Sequence, residues 1–315
     1  MSKLTIGRAT NKALAFFTGR GVWIKGNIHL HTNASDGTWS LEEMARLYKK
    51  NGYDFIAATD HFHRCADHGH LGGLLVIRGM EVDFKVHGNR FFHVVGLNVK
   101  QDLPRRLSPP MRNYHFIRKN AGFCSIAHPY WSDLKLADIR RFKNVDAIEV
   151  YNTTCEVEKG KGCSEYMIDS VLSSGQNIKL LAVDDTHQFR NDYCQAWVWV
   201  KSTACTTAAI MDALRQGRYF SSTGPRIIKQ TITGDQMCVT STPASQVRFI
   251  TNSYWGDCVF ASGRKGITQA DFKIRPQVKY IRVEVIDGAG KKAWSNPVYL
   301  RALLGLWGEI GLARA

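Results

Sequence analysis

No stretch of this 315-residue sequence approaches the ~20 consecutive apolar residues of a membrane span. The N-terminal apolar run ALAFF is too short for a signal-peptide core and lacks a convincing small-residue cleavage site, so the expectation is a cytoplasmic protein without membrane attachment. The eight cysteines form no CxxC pair, which argues against a structural zinc site. In a long chain without a secretory signal they are expected to be reduced. The net charge is +15, yet there is no long basic run and no clustered basic helix with interleaved aromatics. Nucleic acid is therefore not the expected partner. Charge of this size suits an anionic partner, such as a phosphorylated metabolite, nucleic acid or an acidic membrane, without choosing among them, and the plainer reading of a solvated basic surface stays ahead.

From residue 23 to about 220, short β-rich runs alternate with helical patterns. WIKGNIHLH reads as a strand. SLEEMARLYKKNG then reads as a helix, with Ser40 and Glu43 as a capping box and Gly52 as its stop. DFIAATDH, LLVIRGMEV, FCSIAHP, NVDAIEVYN, IKLLAVDDTH and CQAWVWVKS read as strands, and FKVHGNRFFHVVGLNV as a hairpin. Helices are expected in PMRNYHFIRKNAG, DLKLADIRRF, SEYMIDSVLSSG and TTAAIMDALRQG. This alternation implies βαβ units and an α/β barrel or parallel sheet. After about residue 225 only short β runs and turns remain, so residues 225–302 are expected to form a small antiparallel β-sandwich. Residues 1–224 make the first domain in this reading and 303–315 a C-terminal tail.

The polar residues concentrate at strand ends. His31, Asp60–His61, Glu81, His128, Glu149 and Asp185–His187 all fall at C-terminal ends of expected strands, the face on which α/β barrels build their sites. His29 and His31 are separated by one residue, so strand alternation turns both imidazoles the same way. The candidate metal ligands are His29, His31, Asp36, His61, Glu81, His93, His128, Asp185 and His187. Imidazole with carboxylate suits Mn, Zn or Fe better than Mg alone. Six imidazoles and three carboxylates exceed the needs of one ion, and two or three ions sharing a bridging carboxylate fit the set. By contrast His63, His68 and His70 lie in a polar loop, and His87 and His115 are isolated, so these read as surface or packing residues.

NIHLHTNASDG, AATDHFH, GMEVDF, FHVVG, AHPYW, IEVYN and VDDTH follow in the order and spacing of the PHP (polymerase and histidinol phosphatase) metallohydrolase superfamily. The sequence resembles most its CehA/McbA-type branch, over about residues 23 to 300. The resemblance implies a distorted (β/α)7 barrel with up to three metal ions at the strand ends. Matched by motif, His29, His31 and Asp185 would hold a first ion, with Asp184 the alternative to Asp185. Glu81 would bridge the first and second ions, His93 and His128 would complete the second, and Asp36, His61 and His187 would hold the third.

The function implied is metal-dependent phosphoester hydrolysis of a small phosphorylated metabolite or nucleotide through a metal-bridging hydroxide. Asp36 or His187 would protonate the leaving group, and Tyr130, Asn152, Arg190 and Arg226 are the candidate substrate contacts. Trp131 and Phe189 are candidate walls of an aromatic pocket or packing residues. The branch resemblance suggests a second reading, hydrolysis of carboxylic or carbamate esters. Against a nucleic-acid-processing module stand the lack of a polymerase segment, a zinc finger and a clustered basic helix with interleaved aromatics, and a pure binding module would leave the ligand set without a purpose. A homo-oligomer is compatible with the sequence.

Overall fold

The computed structural model describes residues 14–17, 20–66, 68–87, 90–103 and 106–300, so the expected C-terminal tail lies outside the described residues. The chain divides into two units, Gly19–Gly224 and a second made of the chain from Pro225 together with the segment that precedes Gly19. The second unit takes in β1 (Leu14–Phe16), which the sequence alone places in the first domain. The reason is a strand pairing that no local pattern announces: Leu14, Ala15 and Phe16 align antiparallel with Ile232, Thr231 and Gln230.

The first unit is mixed α/β with a large sheet and few helices. In chain order it contains β2 (Val22–Asn27), α1 (Leu41–Lys50), β3 (Phe55–Ala58), β4 (Gly69–Leu71), β5 (Leu74–His87), β6 (Arg90–Leu97) and α2 (Met111–Asn120). β7 (Phe123–Ile126), α3 (Leu136–Ile139), β8 (Ala147–Asn152), α4 (Thr153–Lys159), α5 (Glu165–Ser173), β9 (Lys179–Val183), β10 (Trp197–Ser202), α6 (Thr207–Arg215) and β11 (Tyr219–Ser222) follow. The strand order is β11-β10-β2-β3-β5-β6-β7-β8-β9, with β4 pairing β5. β2–β3–β5 and β7–β8–β9 are parallel runs, joined through the antiparallel hairpin β5–β6 and its neighbour β7. Beyond β9 the chain returns to the continuation of β2: Leu30 bridges Thr186 in parallel, and the amide of Asp185 donates to the carbonyl of His29 at 2.8 Å.

Sequence explains most of these elements locally. The four residues of β3 and of β7 are all buried, as expected for parallel strands covered on both faces. In α1 the Ser40 hydroxyl accepts from the Glu43 amide, and the Glu43 carboxylate accepts from the Ser40 amide at 2.8 Å. Met44, Ala45 and Tyr48 form its buried face, with Glu42 and Glu43 in the first turn and Lys49 and Lys50 in the last, as the helix dipole favours. An apolar core of Ile24, Phe55, Ile77, Phe123, Leu181 and Val198, among others, fills the space between sheet and helices. α4 is absent from the sequence reading. Its residues, TTCEVEK, lack an apolar period, and its start depends on a side chain that belongs to the preceding strand: Asn152 Oδ1 accepts from the Cys155 amide at 3.0 Å. Gly160, at φ 63°, ends it.

The second unit is built of antiparallel sheet. β1 pairs β12 (Ile227–Thr233), which pairs β13 (Gln236–Ala244), which pairs β16 (Ile267–Lys273). A further set joins β14 (Gln246–Thr251), β15 (Asp257–Phe260), β17 (Tyr280–Ile286), β18 (Lys292–Ser295) and β19 (Val298–Tyr299). Phe249 and Phe272 stack with ring centroids 5.1 Å apart. All eight cysteines are free thiols. No helix among the described residues is long and apolar enough to cross a membrane.

Candidate metal centre

The nine residues singled out in the sequence converge in the first unit, beyond the ends of β2, β3, β7 and β9 and along β5 and β6. His29 Nε2 lies 3.2 Å from Glu81 Oε2, 3.0 Å from Asp185 Oδ1 and 3.3 Å from His31 Nε2. His31 Nε2 is 3.1 Å from each of the same two carboxylate oxygens. Four donors about 2 Å from one cation would be separated by about 3.3 Å in a tetrahedron and about 2.8 Å for neighbours in an octahedron. The observed separations fall in that window.

Around this core stand two more groups able to hold an ion. His31, Asp36, His61 and His187 form one, and His61, Glu81 and His93 the other. His187 Nε2 is 3.3 Å and His61 Nε2 3.6 Å from Asp36 Oδ2. Glu81 is common to two groups: Oε2 faces His29, His31 and His61, while Oε1 lies 3.0 Å from His93 Nδ1 and 3.6 Å from His128 Nε2.

The electrostatics describe a nest of buried negative charge. Burial alone would strip the proton from His29, but Asp185, Glu81 and Glu149 hold its pKa well above the usual value. For His31, hydrogen bonds to Asp185 and Glu81 likewise overcome burial and push the imidazole up to about 10. His93 and His187 are raised against burial by Glu81 and Asp36 respectively, whereas burial leaves His61 lowered. Burial opposes ionisation of Glu81 and Asp185, yet the surrounding imidazoles, led by His29, keep both well below the carboxylate range. Such a set holds its charge with imidazolium protons or with cations that displace them.

A second ring of side chains fixes the first. Glu149, only 1% exposed, accepts from His29 Nδ1 at 2.7 Å, and its other oxygen accepts from the His128 amide at 2.7 Å and from Asn152 Nδ2 at 2.9 Å. With Nδ1–H committed to Glu149, the His29 Nε2 lone pair points into the cluster. Asp60 accepts from the amide and hydroxyl of Thr32 and from Ser35, bracing the loop between His31 and Asp36. Asp192 accepts from the amides of His187 and Gln188 and from Thr154 and Thr186. His128 and Asp185 have positive φ, 25° and 56°, strain of the kind that persists where surrounding bonds impose it.

Asp184, the alternative to Asp185, faces elsewhere. Its carboxylate accepts from Tyr48, Thr153 and the amides of Cys194, Gln195 and Ala196, and burial pushes it up to about 6. Asp185 is the one in the cluster. Glu149 stands out in the sequence only as a polar strand end, with no function attached. No local signal could supply one, because its partner His29 lies on another strand.

None of the four expected substrate contacts is among the described residues that line the cavity over the cluster. Asn152 is 0% exposed, and its amide is used up by Glu149, Asp185 and the Cys155 amide, so it positions the site and has nothing to offer a substrate. Tyr130 and Arg190 are exposed, and neither is among the described residues that line the cavity over the cluster. Arg226 belongs to the second unit, where its amide donates to Thr242 Oγ1 at 2.9 Å. The cavity, of about 300 Å³, is lined by Asp36, His61, Glu81, His93, His128, Asp185 and His187 and by Trp131, Thr154, Cys155, Glu158 and Phe189. Thr154, Cys155 and Glu158 come from α4, the helix the sequence does not announce. His63, His68, His70 and His115 are exposed.

No family model matches the chain. Over 38 residues, 12% of its length, it is 50% identical to the DNA polymerase/3'-5' exonuclease PolX of Bacillus subtilis (strain 168), of which the match spans 7%. Among solved structures, a two-domain protein of Bacteroides vulgatus containing a predicted PHP-like metal-dependent phosphoesterase aligns over 85% of this chain and 91% of its own, with a TM-score of 0.51 at 15% identity. An amidohydrolase of Chromobacterium violaceum, with bound sulfate and no metal, covers 51% of this chain and 87% of its own with a TM-score of 0.38 at 16% identity. The PHP resemblance seen in the motifs thus has its counterpart in the fold. The comparisons reach the PHP-like fold and no finer branch.

Proposed function

We propose that the protein is a metal-dependent phosphoesterase acting on a small phosphorylated substrate. The observation that carries this reading is the set of five separations of 3.0–3.3 Å among His29 Nε2, His31 Nε2, Glu81 Oε2 and Asp185 Oδ1, four acceptors gathered about one point in a buried cluster. Their chemistry fits a divalent transition metal, Mn, Zn or Fe. In this reading His29, His31 and Asp185 hold a first ion, Glu81 is shared with a second on His93 and His128, and Asp36, His61 and His187 hold a third. When bound, such ions supply Lewis acidity toward the substrate oxygens and activate water at neutral pH. In this reading the barrel is made of β2-β3-β5-β6-β7-β8-β9, and the bridge of Leu30 to Thr186, in the segments that follow β2 and β9, supports its closure.

The chain's own groups perform the rest. Glu149 fixes the tautomer of His29 and, through Asn152, the orientation of Asp185. His187 donates from Nδ1 to the carbonyl of Asp185 at 2.9 Å, which leaves Nε2 facing Asp36 and the cavity. With the third site free of an ion, the Asp36–His187 pair can hold a proton at Nε2 and deliver it to a departing alkoxide; with that ion bound, Nε2 would be a ligand and carry no proton. Trp131 and Phe189 line the cavity beside the imidazoles of His93, His128 and His187.

The test is hydrolysis by Mn- and Zn-loaded protein of three chromogenic aryl esters, a phosphate monoester, a phosphate diester and a carboxylic ester, with His31→Ala as control. Turnover of a phosphate ester that disappears in His31→Ala is expected. Cleavage of the carboxylic ester alone would move the protein to the carboxylic or carbamate ester reading.

A further inference from the structure

One carboxylate in the cavity belongs to none of the groups able to hold an ion. Glu158, on α4, lines the cavity beside Cys155 and Thr154, and among the described residues it enters no ion pair. A carboxylate facing the approach of an anionic ester repels it, unless the far end of that ester is cationic. The two apolar residues that share the cavity with Glu158 are both aromatic. Trp131 packs edge-on against His128 and His93, with centroids at 4.9 and 5.7 Å, and remains 38% exposed. Phe189 stacks on His187 at 6.0 Å and is 62% exposed. Neither ring is buried by the fold, so hydrophobic burial within the unit does not account for them. Aromatic faces with a nearby carboxylate attract alkylammonium groups through the ring quadrupole and direct charge pairing. Neighbouring Tyr130 already has such a contact, with Lys161 Nζ 5.8 Å from its ring centroid.

We propose that the cavity takes a zwitterionic phosphoester, its phosphate over the His/Asp/Glu cluster and its amine or quaternary ammonium held by Glu158 with Trp131 and Phe189. This rests on the phosphoesterase reading and names the substrate class within it. Glu158 and the two rings select the substrate; Glu158 belongs to none of the groups able to hold an ion, so Glu158→Gln is the variant expected to keep the metal content of the wild type.

The experiment compares two matched chromogenic diesters on the Mn-loaded protein, 4-nitrophenyl phosphorylcholine and 4-nitrophenyl 3,3-dimethylbutyl phosphate, which differ only in nitrogen for carbon. The wild type is expected to favour the choline ester by about tenfold or more in kcat/KM, and Glu158→Gln and Trp131→Leu to bring the ratio toward one. Binding of choline itself, measured by calorimetry on the same preparations, is expected to saturate in the wild type and weaken in both variants, while 3,3-dimethylbutanol does not bind. Equal rates on the two esters, or a preference that survives Glu158→Gln, would overturn the proposal, as would the absence of choline binding. Choline binding without hydrolysis of either ester or of the aryl phosphate monoester would keep the ammonium site and sink the phosphoesterase reading instead.

Discussion

Replacing Glu149 by glutamine changes one atom in a buried carboxylate and leaves its volume intact. The two oxygens of Glu149 accept three hydrogen bonds, from His29 Nδ1, the His128 amide and Asn152 Nδ2. A glutamine keeps one acceptor oxygen and presents an NH2 on the other side. If the NH2 faces His29, the imidazole loses the acceptor that fixes its tautomer. If it faces His128 and Asn152, two donors meet a third. Either arrangement leaves at least one buried donor unsatisfied, at about 1–3 kcal/mol each. The fold is thus expected to lose about 2–4 kcal/mol. Loss of an outer partner of a ligating imidazole typically weakens metal binding by about 10–100-fold. Urea unfolding of the metal-free protein reads the first effect, and competition with a chromogenic chelator for Mn or Zn reads the second. A Glu149→Gln variant with unchanged midpoint and metal affinity would refute the orienting role of this carboxylate.

The remaining predictions address other parts of the structure. Asp184→Asn puts an NH2 against two or three of the five donors that its carboxylate now accepts, so a loss of about 3 kcal/mol or more is expected in urea unfolding, with the number of bound ions unchanged. Gly37→Ala places a Cβ 2.6 Å from the carbonyl carbon and oxygen of His31, so metal affinity is expected to fall while the far-UV spectrum stays the same. The raised pKa of His29, His31, His93 and His187 stabilises the metal-free fold below their unfolded value near 6.5, and this stabilisation is lost as pH rises through the folded values, about 10 for His31. The depressed carboxyls of Asp36, Glu81 and Asp185 act in the opposite sense, contributing above about pH 4 and failing as pH falls. Metal-free protein is therefore expected to lose stability on going from about pH 6.5 to about 9, and metal binding to release protons and tighten over the same range, as thermal melts and unbuffered calorimetry would show.

How much of this is legible in the sequence depends on distance along the chain. Strand alternation alone places His29 and His31 side by side, and both Nε2 atoms do meet the same oxygens of Glu81 and Asp185. The ends of apolar strands likewise point to His61, His128 and Asp185, because a polar residue ending a buried strand has few places to face. Roles set by a neighbouring strand are not legible. Glu149 reads as one acid in an apolar run, and what it does is decided by His29, 120 residues away. Asn152 looks available to a substrate because the sequence does not reveal that α4 begins on it. The pairing of β1 with β12 joins residues more than two hundred positions apart, and neither segment carries a turn or period that predicts it.

The central claim is that these side chains are a binding site for more than one divalent cation, with Glu81 shared between ions. Equilibrium dialysis against Mn and Zn, followed by elemental analysis of wild type and Glu81→Ala, tests it directly. Two or more ions per chain in the wild type, with at least one lost in Glu81→Ala, is the predicted result. Less than one retained ion per wild-type chain, or the same content in the variant, would contradict it.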